Sequence, residues 1–331
     1  MTVARIPVTI LTGFLGAGKT TLLNYLLHAK HGRRMAVLVN DFGAVNIDAQ
    51  LIVGVEDETI QLSNGCICCT LRGALEETLL AVAHRPEPPE YIIIETSGVA
   101  DPKAVAVTLL LSEDLNADIQ VDSILTVIDA EQIGALRAQY AQLAKSQISV
   151  ADIVLLNKVD LVSREEVAVL KAWIQQITPA ARILETSYGQ APLALLLGVD
   201  HALQPKTLLA EPALDVHVHE ASEAQAHHHD LLFHTWTYTS DRPLALEAVR
   251  KTVQQLPTAI FRVKGFLFLR EQPEQRALLQ AVGRRVQIDL DGQTWGEQSP
   301  RTQLVMIGMA GGVEPMALRA AFEACTSAGE E

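Results

Sequence analysis

The pattern of apolar and polar positions changes character along the chain. In the first 200 residues, short apolar runs alternate with longer segments in which apolar residues recur every three or four positions. The short runs are typical of parallel strands covered on both faces, and the longer segments of amphipathic helices. The predicted strands are Val8–Thr12, Met35–Asn40, Tyr91–Glu95, Ile124–Asp129, Ile153–Asn157 and Arg182–Glu185. The predicted helices are Lys19–Lys30, Leu71–Ala83, Pro102–Leu111, Glu131–Lys145 and Ser163–Ile177. This alternation predicts an α/β domain over residues 1–200, with a mostly parallel, doubly wound sheet.

The periodicity fades over residues 201–230, which we interpret as a His-rich, acidic linker. Its histidines could collect metal loosely or simply belong to a solvated tether: His217, His219, His227, His228 and His229. Residues 231–331 then predict a smaller α+β domain with a mainly antiparallel sheet. Its predicted strands are Leu232–Thr239, Ile260–Leu269, Val286–Leu290 and Gln303–Met309, and its predicted helices are Leu244–Gln255 and Pro315–Ala324.

Composition and charge narrow the class of protein. The 331 residues are 49% hydrophobic and 20% charged, which suits two domains that each bury a core without disulfides. The formal net charge of -13 argues against a broad nucleic-acid or membrane surface. No apolar run approaches the roughly 18 residues that span a bilayer. The apolar run that follows Arg5 leads into a glycine-rich loop and not into a cleavage site, so we expect a soluble, cytoplasmic protein.

A phosphate-binding loop connects the first predicted strand to the first predicted helix. Residues 13–20 read G-F-L-G-A-G-K-T and match the pattern G-x-x-x-x-G-K-[ST] in its expected context. The glycines let backbone N–H groups surround a phosphate at a helix N-terminus. Lys19 would reach the β- and γ-phosphates, and the Thr20 hydroxyl would ligate Mg²⁺. The predicted phosphate-binding residues are Gly13, Gly16, Ala17, Gly18, Lys19, Thr20 and Thr21.

A base-reading motif follows the predicted strand Ile153–Asn157. Asn157, Lys158 and Asp160 form the pattern N-K-x-D. The Asp160 carboxylate can accept hydrogen bonds from both N1–H and the exocyclic amine of guanine, whereas adenine offers neither pattern. Lys158 can lay its aliphatic stem along the base. Because a wrong base would leave buried polar groups unpaired, the motif predicts GTP and not ATP as the nucleotide.

Two further segments supply candidate catalytic residues. Glu95 ends a predicted strand and is followed by Thr-Ser-Gly98, which looks like the D-x-x-G element of GTPases. Glu95 can hold Mg²⁺ through water and the Gly98 N–H can sense the γ-phosphate, although a Glu that caps the next helix is the alternative. Asp41 could contact Mg²⁺ or orient the attacking water, or lie in a plain turn. The predicted catalytic residues are Lys19, Thr20, Asp41 and Glu95. No arginine is identifiable as a transition-state finger, so we expect slow hydrolysis until a partner or second subunit arrives.

Three of the four cysteines form a cluster. Cys66, Cys68 and Cys69 lie in the stretch N-G-C-I-C-C-T, and neighbouring cysteines rarely reach disulfide geometry. Thiolates suit a soft or borderline ion such as Zn²⁺, Co²⁺ or Cu⁺. Three protein ligands leave a coordination position open, as expected for a site that releases its metal. A thiol redox switch and buried structural cysteines are the alternatives. Cys325, alone in the last predicted helix, is expected to be structural.

Together these motifs resemble the CobW family of metal-handling GTPases, which are related to the hydrogenase and urease nickel-insertion GTPases. The resemblance rests on G-F-L-G-A-G-K-T-T, N-D-F-G, N-G-C-I-C-C, E-T-S-G-V-A-D-P and N-K-V-D, and extends to Arg262–Gly265 and Arg301–Gly308 in the second domain. It implies GTP hydrolysis with Mg²⁺ and metal binding at Cys66, Cys68 and Cys69. It also implies a client metalloprotein or cofactor-synthesis protein as partner. Many relatives carry N-E-F-G-E where this chain has Asp41 and Ala44, so a carboxylate of those relatives is absent.

These residues lead to one main hypothesis, a GTP-hydrolysing metallochaperone that delivers its metal to a client. Zinc is preferred because thiolate chemistry and availability favour it, and no residue excludes cobalt. The alternatives are a GTP-binding metal buffer or sensor and a redox-responsive GTPase. Whether the chain forms a homo-oligomer stays open.

Overall fold

The computed structural model describes residues 5–29, 32–39, 59–61, 71–135, 138–197, 233–283, 285–296, 299–309 and 313–327. The chain forms two compact units, one within residues 3–190 and the other within residues 191–331. The predicted linker at 201–230 lies outside the described residues. Its bounds, and those of the domains on either side, therefore stay predictions.

The first unit contains a seven-stranded sheet in which every neighbouring pair is parallel. The strands follow the spatial order β3-β2-β4-β1-β5-β6-β7, so the direction of winding reverses at β1. This arrangement confirms the predicted α/β class. The strands are β1 (Ile6–Gly13), β2 (Met35–Val39), β3 (Thr59–Gln61), β4 (Tyr91–Glu95), β5 (Ile119–Asp129), β6 (Ile153–Asn157) and β7 (Arg182–Glu185).

Six helices accompany this sheet within the described residues of the first unit: α1 (Lys19–His28), α2 (Leu71–Ala83), α3 (Pro102–Leu111), α4 (Glu113–Asp118), α5 (Ala138–Ser149) and α6 (Arg164–Ile177). Helices α2, α3 and α4 share one apolar core with β1, β2, β4 and β5, while α5 and α6 share another with β5, β6 and β7. All five residues of β2, β4 and β6 are buried, which is why these strands read as continuous apolar runs. No helix in the described part of the chain is long and apolar enough to cross a membrane.

The order of the strands decides where a site can form. In parallel α/β sheets, ligands bind beyond the carboxyl ends of the strands, at the point where the winding reverses. Here β1 lies between β4 and β5, and β5 pairs with β6. The carboxyl ends of these four strands therefore meet at one edge, and they carry Gly13, Glu95, Asp129 and Asn157.

The second unit is an antiparallel sheet covered by helices, which confirms the predicted α+β class. Its spatial order is β11-β10-β9-β12-β8. Two helices, α8 and α9, share its apolar core with the strands. A short helix, α7, is held by the buried Arg262, whose guanidinium donates to the carbonyls of Leu195 and Leu196. The elements are α7 (Leu193–Leu197), β8 (Phe233–Ser240), α8 (Leu246–Gln254), β9 (Ile260–Phe268), β10 (Gln275–Val282), β11 (Arg285–Thr294), β12 (Thr302–Met309) and α9 (Pro315–Ser327).

The structure differs from the sequence prediction in several elements. Strand β10 was not predicted, because two of the residues it buries are the small, weakly apolar Ala277 and Ala281. The helix predicted from Glu131 begins only at Ala138, because the Asp129 carboxylate accepts from the backbone N–H groups after it and forms a turn instead. Strand β3 and helices α4 and α7 were also missed; they have 3, 6 and 5 residues, too few to show a period.

Candidate nucleotide site and metal motif

The phosphate loop between β1 and α1 depends on its glycines. Gly13, Gly16 and Gly18 have φ angles of 137°, 75° and 105°, a region that side chains disfavour. A Cβ on Gly13 would lie 2.1 Å from the Val127 carbonyl oxygen, and one on Gly18 would lie 2.4 Å from the Asn157 side-chain nitrogen. The backbone therefore forms a cradle at the N-terminus of a ten-residue helix, and at these three positions it accepts only glycine without strain or a clash.

Lys19 places its ammonium group inside this loop. Its side chain is only 8% exposed, and Nζ donates to the Gly13 carbonyl oxygen at 3.0 Å and to that of Phe14 at 3.4 Å. The two carbonyls thus hold the cation against the first residues of the loop. Thr20, the next residue, is half-buried in the first turn of α1, and Thr21 is exposed.

Asn157 connects the phosphate loop to the loop that follows β7. It is 1% exposed, and its Nδ2 donates to the Ala17 carbonyl oxygen at 2.9 Å. Its Oδ1 accepts from the Thr186 hydroxyl at 3.2 Å and from the Gly189 N–H at 3.0 Å. Both ends of one buried amide are therefore used, and each end holds a different loop.

Lys158 is held by a residue that the sequence analysis did not single out. Its Nζ lies 2.7 Å from the Asp129 carboxylate, which is 6% exposed. The other Asp129 oxygen accepts from the N–H groups of Glu131 and Gln132, at 2.9 and 3.1 Å. Lys158 itself has a left-handed backbone, with φ of 61°. Asp129 could have been singled out by its position, since it ends the strand β5 and lies directly opposite Asn157 in the sheet register.

Asp160 lies in a short 3-10 turn just after Lys158 and is exposed. The turn is held against the loop after β7, because the Val159 N–H donates to the Thr186 carbonyl oxygen at 3.3 Å. That loop was also missed by the sequence analysis. It contains Tyr188, an aromatic residue with φ of 56° that is 72% exposed.

Glu95 lies beside the phosphate-loop strand. It ends β4, is 2% exposed, and pairs in register with Leu11 of β1. The next residue, Thr96, donates its N–H to the Leu11 carbonyl oxygen at 2.9 Å and its hydroxyl to that of Thr12 at 2.9 Å. The cap of the following helix is Asp101, which accepts from the Lys103 N–H at 3.0 Å. Glu95 therefore does not cap that helix.

Gly98 lies against the backbone of the phosphate loop. It belongs to a turn closed by a hydrogen bond from the Ala100 N–H to the Ser97 carbonyl oxygen, at 2.9 Å. A Cβ on Gly98 would lie 2.7 Å from the Leu15 nitrogen. Only a residue without a side chain allows this loop to approach the phosphate loop so closely.

Comparison with known proteins decides the family. Residues 7–185 match the model of the CobW/HypB/UreG nucleotide-binding domain, and residues 233–326 match that of the cobalamin synthesis protein cobW C-terminal domain. The chain belongs to the CobW family. It is a GTPase, and the first of the matched ranges contains the phosphate loop, Glu95, Gly98, Asp129 and the N-K-x-D motif described above.

The chain is also similar in sequence to several named proteins. The zinc chaperone CobW of Pseudomonas aeruginosa is 35% identical, with 93% of this chain and 88% of the relative aligned. The zinc chaperone YjiA of Escherichia coli is 31% identical, with 96% and 98% aligned. The zinc-regulated GTPase metalloprotein activator 1 of Schizosaccharomyces pombe is 40% identical over 57% of this chain and 47% of its own length.

The donors of this CobW-family site fit Mg²⁺ with a nucleotide. A hydroxyl from Thr20 and a carboxylate from Glu95 are hard oxygen ligands of the kind that Mg²⁺ prefers, and the adjoining glycine cradle offers backbone N–H groups to phosphate. In the described ranges, no group of three or more His, Cys, Asp or Glu side chains is placed to hold a metal ion. Several predicted residues lie outside those ranges: Asp41, Cys66, Cys68, Cys69 and the linker histidines.

Proposed function

We propose that this GTPase is a metallochaperone, which binds Zn²⁺ through Cys66, Cys68 and Cys69 and passes the ion to a client protein or cofactor pathway. The observation that carries the proposal is the N-G-C-I-C-C motif within residues 62–70, which connect β3 to α2 of the nucleotide-binding unit. Two relatives that align over most of their length with this chain are named zinc chaperones. Co²⁺ is the second candidate, because the same thiolates suit it.

In this proposal, different residues of the chain bind the phosphates, the Mg²⁺ ion and the base of GTP. Lys19 would neutralise charge on the β- and γ-phosphates, and Asn157 holds the loop that surrounds them. Thr20 and Glu95 would hold Mg²⁺, which when bound neutralises further charge on the phosphates. Asp160 would read the guanine edge, with Lys158 alongside it. Asp41 would lie in the switch and help to orient the attacking water. Because no arginine is assigned to the transition state, we expect a slow basal rate.

The connections of the chain support a coupling between hydrolysis and metal transfer. The segment that carries Asp41 follows β2 and the cysteine segment follows β3; β2 pairs with β3 and, on its other side, with β4, which ends at Glu95. Contacts to the γ-phosphate can therefore bias a single two-state element that includes the cysteines. Loss of the γ-phosphate would relax that element and allow a client to take the ion.

The double substitution Cys66→Ser and Cys68→Ser should lower the affinity for Zn²⁺ at least about hundredfold, because two thiolate ligands are replaced by hydroxyls that bind zinc poorly at neutral pH. Competition with a chromophoric zinc chelator measures this change in the reduced protein.

The matched control is Cys325→Ser. Cys325 is buried in α9, burial raises the pKa of its thiol, and the thiol lies 3.3 Å from the Thr252 hydroxyl. The control should bind zinc like the parent protein. If the double variant kept the parent affinity, the cysteine site would be wrong.

Zinc and cobalt affinities should also depend on the nucleotide. We expect binding at least about tenfold tighter with Mg²⁺ and a non-hydrolysable GTP analogue than with Mg²⁺ and GDP, a difference of about 1.4 kcal/mol in coupling free energy. A competition titration of the metal-free, reduced protein in both nucleotide states measures it. Equal affinities would mean that the two sites are not coupled, and would favour the metal buffer or the redox-responsive GTPase over delivery.

A further inference from the structure

Helix α5 holds the loop after β4 through one buried side chain. Gln147 is 2% exposed, and its Nε2 donates to the Gly98 carbonyl oxygen at 3.2 Å and to that of Ala100 at 3.3 Å. Both N–H groups of one amide can thus be used on two carbonyls of the same loop. The motifs of the sequence analysis do not include Gln147.

The turn of α5 that carries Gln147 makes two further hydrogen bonds, one to β5 and one to the start of α3. The Gln147 carbonyl oxygen accepts from the Thr126 hydroxyl of β5 at 2.8 Å. Its neighbour Ser146 donates its hydroxyl to the Asp101 carboxylate at 3.1 Å, and Asp101 in turn caps α3. Helix α5 therefore contacts the loop after β4 at two separate positions, Gly98 and Asp101.

The opposite side of the loop faces the phosphate loop. Gly98 approaches Leu15 so closely that an added Cβ would lie 2.7 Å from the Leu15 nitrogen. Gln147 and Leu15 also line a mainly apolar pocket between the phosphate loop, β5 and α5. Because Gln147 is almost fully buried, water competes little for its amide, and its hydrogen bonds are stronger than they would be in water.

We propose that Gln147 is a positioning residue, which holds the Gly98 peptide against the phosphate loop in the geometry that receives the γ-phosphate of GTP. This role rests on the predicted contact between the Gly98 N–H and the γ-phosphate. GDP lacks that phosphate, so the contribution of Gln147 appears only with GTP. If Gln147 only stabilised the fold, its loss would weaken the binding of GTP and of GDP equally.

The test is Gln147→Met, which keeps the approximate volume and removes both hydrogen bonds. Affinity for a non-hydrolysable GTP analogue should fall about tenfold, since two hydrogen bonds that order the loop are lost, while affinity for GDP stays within about twofold. With saturating GTP, kcat should fall as well. Competition against a fluorescent GDP derivative, with Mg²⁺ and no zinc, gives both affinities.

Two further variants complete the experiment. Gln142→Met removes an exposed amide from the same helix and should change neither affinity. If Gln147→Met does not fold, Gln147→Asn keeps a buried amide but shortens the side chain by one methylene, so that it reaches the Gly98 and Ala100 carbonyls less well. This variant should still lower the ratio of GTP-analogue to GDP affinity by about twofold to threefold.

An unchanged ratio of the two affinities in the folded variants would overturn the proposal, and so would an equal loss for both nucleotides. Because no zinc is present, neither result depends on whether the chain delivers metal. The nucleotide dependence of zinc binding tests that function separately.

Discussion

Replacing Asn157 with alanine should weaken GTP and GDP alike, by about hundredfold or more, and lower the free energy of unfolding by about 2–4 kcal/mol. The side chain is 1% exposed and makes three hydrogen bonds, to Ala17, Thr186 and Gly189. Removing it leaves the Ala17 carbonyl and the Gly189 N–H in a dry environment without this partner. The affinity for both nucleotides should fall, because GTP and GDP each contact the phosphate loop and the base-binding loops.

Urea unfolding of the nucleotide-free protein, together with equilibrium binding of fluorescent GDP, measures the two effects of Asn157→Ala. The control is Asn116→Ala, which removes an exposed asparagine whose side chain makes one long bond, at 3.5 Å, to the Leu110 carbonyl oxygen. We expect the control to change stability by less than about 0.5 kcal/mol. Parent-like GDP affinity in Asn157→Ala would show that the two loops do not need this bridge.

Replacing Asp160 with asparagine should change which base the enzyme accepts. Guanine presents two donors to the Asp160 carboxylate, and an asparagine would place its own N–H₂ group against one of them. We expect GTP affinity to fall about hundredfold or more, because a donor would then face a donor in the base site. Xanthine has a carbonyl where guanine has its amine, so xanthosine triphosphate should become the better substrate.

The decisive measurement for Asp160→Asn is kcat/KM for hydrolysis of GTP and of xanthosine triphosphate. Asp114→Asn is the matched control, because Asp114 is an exposed carboxylate in the first turn of α4. It should leave the preference for GTP intact. An Asp160→Asn enzyme that still preferred GTP would mean that another group reads the base.

The two halves of the nucleotide site are held differently. On the base side, Asn157 holds two loops and Asp129 holds Lys158, through side chains that are almost fully buried. On the γ-phosphate side, the Gly98 loop is held by the Gln147 amide and by its packing against Leu15. We therefore expect the base side to support GDP and GTP alike, and the γ-phosphate side to distinguish between the two nucleotides.

The pattern of apolar residues predicts some elements of the structure accurately and misses others. Tyr91–Glu95 and Ile153–Asn157 were predicted with the bounds that the structure has, since every one of their residues is buried and the apolar runs are unbroken. Strand β10 was missed because half of its residues are only partly buried and the buried positions include two alanines. Helix α5 was predicted to start at Glu131, and the turn made by Asp129 displaces its start to Ala138.

Short patterns in the sequence predict a phosphate loop, a guanine-reading motif and a metal-binding cysteine cluster, because residue types and spacing are enough to indicate each of them. The alternation of apolar and polar runs predicted the two domain classes, which the structure confirms. Which of these residues contact one another depends on the order of the strands in the sheet and not on neighbours in the sequence, so these contacts are seen only in the folded chain. Asn157 meets Ala17 across 140 positions, Gln147 meets Gly98 across 49, and Lys158 meets Asp129 across 29. Local periodicity carries no information about such contacts, and they arise because β1, β4, β5 and β6 end at one edge of the sheet.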